Sequence, residues 1–392
     1  MSEESPEPTN PFDFLLGDLM KTLTSSGINA QDFIGQFSLL PVAEAEYEAN
    51  VDPLERVKYE QLFELAQLHV SNIDLLSGTA VSKAKLELVN PRKLVDVLTR
   101  AWSPYISTLS ESLAVSSGTL PAVAGIDEDN PLSAIMSQLG SAMSPMISGA
   151  QIGSLLGHYC KEALRAYELP IPMADLSKVV VVPYSISKFA KEWNVDHDQL
   201  VLWLLVQELT VTLILGLEDF RDNFDLQIRL HLADMRADVH AMIEKIQGIN
   251  PADPEALQAI FSDPTELIGN EMTEAQRINY ANIEVTLIVL EAALNLVSRR
   301  VATALFGEYF LIDEASRRRQ LDGPQAKIIM GRMFGIDISA RVVELGSDLA
   351  AFVTDKKCEA ELSLALNNHE HLPTPGELDD FETWLTRVKL QS

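Results

Sequence analysis

The stretch from Asp198 to Leu217, DQLVLWLLVQELTVTLILGL, constrains this chain more than any other. As a helix it is apolar on every side, so it belongs inside a core rather than on the edge of one. Two polar side chains, Gln207 and Glu208, interrupt it at the middle. A carboxylate enclosed by Leu and Val needs a partner or a proton. The stretch is about as long as a membrane span, but an acid at the bilayer centre is costly. The sequence therefore predicts a buried helix and no membrane insertion. Residues 130–157 carry no charge but are rich in Ser, Gly and Gln and contain Pro145, and they are read the same way.

Lys and Arg number 30 against 57 Asp and Glu, a net charge of −27. That field repels nucleic acid and anionic membranes, so neither is the partner to expect, and a protein partner of unknown identity is left open. Cys160 and Cys358 are far apart and fall in no C-x-x-C pair, so neither a disulfide framework nor a cysteine metal site is implied. The opening MSEESPEPTNP has no basic and then apolar run of the signal-peptide kind. It reads as a disordered acidic tail over 1–11, and the protein is expected in the cytoplasm.

Along the chain, helical signals dominate. Residues 11–24 have apolar positions at helical spacing. Asp52-Pro53 opens a helix with Leu62, Phe63, Ala66 and Val70 on one face and His69 beside it. Asn90-Pro91 opens another that runs toward Pro104. Residues 121–131 have linker composition. Gly149, Gly153 and Gly157 recur every four residues, a spacing that lets two backbones approach closely. KVVVVPY at 178–184 is the one strand signal, stopped by Pro183. Asp196 and Gln199 make a helix start ahead of the apolar stretch. His231, Asp234 and Asp238 share a helical face, with His240 close by. They offer either a divalent-metal cluster or a solvated acidic face, and the second suits residues so common on surfaces. Residues 248–264 form a Pro-punctuated excursion. A second apolar helix is expected from Asn282 to Leu305, with Glu291 as its enclosed acid. Arg317, Arg318 and Arg319 should pair with carboxylates, and the C-terminus should end in a helix docked through Trp384 and Leu385.

The chemistry centres on Gln207-Glu208-Leu209-Thr210-Val211. Zinc-hydrolase helices carry His-Glu-x-x-His, with both His on one face as ligands and the Glu acting on metal-bound water. Here the Glu is kept and both ligand positions differ. Val211 has no lone pair, and the neutral amide of Gln207 is a poor zinc ligand.

NPFDF, GAQIGSLLG, the 201–214 helix, IVLEAALNLV, SRRRQLDGPQAKIIMGRMFGIDISAR and LPTPGELDDFETWL occur in that order. The set resembles the actinobacterial zincin-like hydrolases, some of them labelled zinc-dependent metalloproteases or deazaflavin-cofactor-biosynthesis-associated proteins. The resemblance runs from about residue 11 to 390. It implies a mainly α, multi-helix zincin-like bundle with at most a short strand near 178–184. Residues 12–168 would form an N-terminal helical region packed with a zincin-like region, 169–392, as one unit. It makes Glu208 the vestigial general-base position and Glu291 a vestigial ligand position. Gln207, Val211, Ala293 and Asn295 stand where metal-bearing members have His, His, His and Asp. On that reading zinc is absent, no other cofactor is called for, and the chain is a non-enzymatic structural or interaction protein. The rival is a hydrolase working through Glu208 and Glu291 alone.

Overall fold

The computed structural model describes residues 30–117, 149–235, 273–306 and 309–391. The expected tail over 1–11, the helix over 11–24, the linker over 121–131 and the excursion over 248–264 lie outside them.

Helix α1 (Ala30–Ser38) leads through 3-10 turns to α2 (Pro53–Val70). Asp52 starts α2 by accepting the Leu54 N–H at 2.8 Å, with Pro53 in the first turn where its missing N–H costs nothing. Strand β1 (Lys85–Leu88) follows, then α3 (Pro91–Ser117). Pro104 lies inside α3 rather than at its end. Its ring is exposed, while Trp102, Tyr105, Ile106 and Leu109 are buried around it. Packing on both sides of the proline outweighs the lost backbone hydrogen bond.

Helix α4 (149–162) places Gly153 and Gly157 against α1. A Cβ on Gly153 would sit 2.6 Å from the Ile34 carbonyl oxygen, and one on Gly157 would strike the backbone of Ser38 and the ring of Pro41. The glycine spacing thus serves close backbone approach. Strand β2 (Lys178–Val181) pairs in parallel with β1, from Lys85 opposite Lys178 to Leu88 opposite Val181. The sequence predicts one strand, and the described residues hold two. KLEL in β1 is too short and too charged to stand out, and only its pairing with the buried VVV of β2 makes it a strand.

Pro183 stops the strand and opens α5 (Pro183–Trp193). Asp196 then caps α6 (His197–Leu215) by accepting from Gln199 N at 2.9 Å. Leu200–Val206 and Glu208–Leu215 are all buried. Helix α6 packs against α2, α5, β2, α7 (Glu218–Ala233) and α8 (Glu274–Leu305). A helix with partners on all sides has to be apolar on all sides. Helix α8 begins at Glu274, earlier than the expected Asn282, because Thr273 and Gln276 form a reciprocal capping box there. Both α6 and α8 are long and apolar enough to cross a membrane by length and composition, but 83% and 78% of their most apolar windows are buried inside the fold.

The rest of the chain is helical: α9 (Phe310–Leu321), α10 (Gln325–Met333), α11 (Ala340–Lys356), α12 (Glu359–Asn367) and α13 (Phe381–Gln391). Helix α11 makes the most extensive contact with α8. Trp384 and Leu385 dock α13, and the Trp384 indole N–H donates to the His371 carbonyl at 2.8 Å. The architecture is mainly α with one two-stranded parallel sheet among the described residues.

Candidate functional site

Gln207 and Val211 are one turn apart on α6, and Glu291 lies on the stretch of α8 packed beside it. All three line one cavity of ≈ 50 Å³. Arg165, Glu168, Arg319, Gln320 and Lys327 line it too, and Leu204, Leu290 and Val342 are among its apolar walls.

Glu208 is fully buried and is not among the lining residues. Its carboxylate accepts from Arg165 Nη1 at 3.1 Å and from the Tyr167 backbone N–H at 3.2 Å, and both of those residues face the cavity. The chain reaches this position because Arg165 is extended and bridged to Val181 of β2, with Val182 N donating to Leu164 O at 2.9 Å. That pairing draws the segment after α4 across α6. Arg165 Nη1 also donates to Tyr167 O at 2.9 Å. Burial pushes the Glu208 carboxyl up to about 7, with Arg165 and the Tyr167 N–H pulling it back. Thr212, the one polar neighbour a turn away, gives its hydroxyl to the Glu208 main-chain carbonyl, not to the carboxylate.

Glu291 is half-buried and accepts from Asn295 Nδ2 and Gln320 Nε2, each at 3.2 Å. Burial raises its carboxyl above the usual range, and Arg165 is the largest opposing influence. Gly346 on α11 makes room for it, since a Cβ there would sit 2.6 Å from Glu291 Cγ. Asn295 therefore holds Glu291 from one helical turn along the same face. Ala293 is fully buried on α8.

A second ion pair stands beside the first. Glu168 accepts from Arg319 at 3.0 Å and from Leu164 N at 2.6 Å. Burial alone would raise Glu168, but Arg319, Lys327 and the Leu164 N–H together hold it below the usual range. Arg318 pairs with Glu314 at 2.6 Å, so two of the three consecutive arginines meet carboxylates as the sequence predicts. Lys327, near the start of α10, is 5% exposed, and burial pushes its ammonium down to about 8.

Sequence reasoning missed Arg165, Glu168, Arg319 as a site residue, Gln320 and Lys327. The signal available was Arg165 and Glu168 inside the otherwise apolar ALRAYELPIP. Charges in such surroundings need each other.

The solvated acidic face expected around His231 is not what forms. His231 is 2% exposed on the inner side of α7, with no hydrogen bond to either ring nitrogen, and burial pushes it down to about 4. Its ring lies against Gly335, where φ is +72° and a Cβ would come within 2.8 Å of it. The apolar inner face of α7 takes the imidazole in, next to Tyr280. Asp234 caps the end of α7, and Asp238 and His240 lie outside the described residues.

The donor set does not fit a zinc ion. A catalytic zinc takes three protein ligands. Here Val211 offers none, Gln207 offers a neutral amide, and Glu208 is committed to Arg165 and Tyr167 N. Three cations, Arg165, Arg319 and Lys327, line the same space and would repel a dication. Among the described residues, no three His, Cys, Asp or Glu side chains converge as a metal site would require.

A family model described as zincin-like metallopeptidase matches residues 41–385. No protein of curated function matches the sequence. A crystal structure from Chloroflexus aurantiacus, titled as that of a candidate hydrolase with a novel fold, superposes with a TM-score of 0.58 at 15% identity. It covers 91% of this chain and 98% of its own, and at that identity the likeness speaks for the fold alone.

Proposed function

The chain belongs to the zincin-like metallopeptidase family, and from that premise we propose that it is a catalytically degenerate member serving as a structural or interaction protein. The observation that carries this reading is the position of Glu208. A general base for a hydrolysed bond must reach a water beside the substrate. This carboxylate is fully buried behind Arg165 and Tyr167 instead. The cavity in front of it supports the same reading. At ≈ 50 Å³ it is far below the roughly 300 Å³ at which pockets for ordinary ligands begin, so it takes no peptide.

On this reading zinc and other metals are absent from the 207–211 site, and the partner is a protein rather than nucleic acid or membrane, in keeping with the net charge of −27. A cytoplasmic location is part of the proposal, supported by two cysteines that are both buried and unpaired.

The second reading, a hydrolase acting through Glu208 and Glu291, draws on one observation: both acids are raised by burial, as a proton-transferring pair would be. Glu208 lacks the access that this role demands. Elemental analysis of the purified protein, with protease and esterase assays on wild type and Glu208→Gln, separates the readings. The expected result is no stoichiometric metal and no hydrolysis. About one zinc per chain, or an activity lost in Glu208→Gln, overturns the proposal.

A further inference from the structure

Three cations and three carboxylates surround the cavity. Arg165 is matched to Glu208 at 3.1 Å and Arg319 to Glu168 at 3.0 Å. The remaining carboxylate, Glu291, takes two amide hydrogens and makes no ion pair. The remaining cation is Lys327. Its side chain is buried and lines the cavity, and among the described residues it has no hydrogen bond and no carboxylate at ion-pair distance. A buried ammonium is strongly disfavoured without acceptors, and among the described residues the protein supplies none within hydrogen-bond distance, Glu168 and Glu291 acting on it only through their charge. Gln207 also lines the cavity, and its amide has no hydrogen-bond partner among the described residues.

We propose that this cavity binds a short-chain monocarboxylate, its head group taken by the Lys327 ammonium and the Gln207 amide and its alkyl end packed against Leu290, Leu294 and Val342. Two separate donors suit the two oxygens of a carboxylate better than a single-point halide. The size agrees. A water requires roughly 10–15 Å³ of such space, so ≈ 50 Å³ holds about three to five heavy atoms, the size of acetate or propionate. A phosphate dianion would face Glu168, Glu208 and Glu291 in or behind the walls, and the apolar walls would leave its outer oxygens without donors.

The proposal rests on the reading that no metal occupies this site, so zinc is measured on the same sample. Full-length protein is titrated with acetate, propionate, phosphate and chloride, followed by calorimetry and thermal shift. Saturable binding of acetate or propionate is expected, weakened at least tenfold in Lys327→Met and unchanged in Lys191→Met, an exposed lysine away from the cavity. Glu291→Gln removes a repelling charge and should tighten binding several-fold, which keeps the test open if Lys327→Met does not fold. No saturable carboxylate binding, equal binding in Lys327→Met, or preference for phosphate or chloride overturns the inference while leaving the zinc-free reading intact. Stoichiometric zinc in the sample overturns both.

Discussion

Glu208→Gln should change how stability depends on pH, because burial and ion pairing pull this carboxyl in opposite directions. Arg165 at 3.1 Å favours the charged form, while complete burial among Leu and Val favours the proton. Burial is the larger effect and leaves the group at about 7, against 4.5 in an unstructured chain. A raised acid contributes stability that is fully present below 4.5 and is lost as pH rises to about 7, because ionisation is easier in the unfolded chain. The gap of about 2.5 pH units, at ~1.4 kcal/mol each, amounts to about 3 kcal/mol. Gln keeps the shape and cannot ionise. At pH 4 the two proteins should be close in stability. By pH 8 the variant should have gained about 3 kcal/mol on the wild type. Urea denaturation of both at pH steps from 4 to 8 gives this difference, and contributions common to both cancel. If the variant instead loses ground as pH rises, the carboxylate is ionised and held by Arg165, and the ranking of burial above pairing is wrong.

Removing the partner should act in the opposite sense. In Arg165→Met the Glu208 carboxyl climbs further, so the variant's deficit in stability should widen as pH rises above 7, while a deficit constant from pH 6 to 9 would detach Arg165 from that charge. Gly346→Ala should cost about 1–3 kcal/mol by chemical denaturation, since the new methyl meets Glu291, and Glu291→Ala in the same background should restore part of the loss. His231, lowered to about 4, contributes stability that is present above 6.5 and lost as pH falls through 4, worth about 3 kcal/mol. His231→Phe should flatten the stability profile across that interval. Gln207→His with Val211→His should leave zinc well below one per chain after dialysis, because Arg165 and Lys327 still line the site and Asn295 replaces an acid. Near-stoichiometric zinc in that protein would refute the account of the cavity.

The helices were legible because their signals are local. Asp52-Pro53, Asp196 and the apolar run of α6 each act within a turn or two of sequence, and each appears in place. The misses share one cause, which is tertiary pairing. Strand β1 exists through its bonds to β2, whose Lys178 stands opposite Lys85 from far along the chain. Pro104 is carried inside α3 by the burial of its neighbours. His231 is drawn inward by a face of α7 that its own charged surroundings disguise. The candidate site divides the same way. Gln207, Val211 and Glu291 could be read from two helices, and they meet at one cavity. Arg165 arrives from a segment with no motif and Lys327 from a quoted segment in which nothing marks it, so their part in the site is visible only once the chain is folded.

Those two cations bear on how two acids are held inside this core. A carboxylate inside a core is costly without a positive charge beside it, and removing one member of such a pair leaves the other uncompensated. A His-Glu-x-x-His helix meets that cost with a zinc ion beside its Glu. Here the guanidinium of Arg165 stands against Glu208 and is also the largest force holding Glu291 down. One immobile side chain therefore acts electrostatically on both acids that the metal-bearing pattern would set around an ion. The arrangement has a structural consequence: an arginine held by Tyr167 O and by the pairing of its own backbone with Val181 is a permanent part of the chain, as a bound metal is not. Arg165 thereby ties Glu208 of α6 and Glu291 of α8 to one fixed charge at the joint between the two helices.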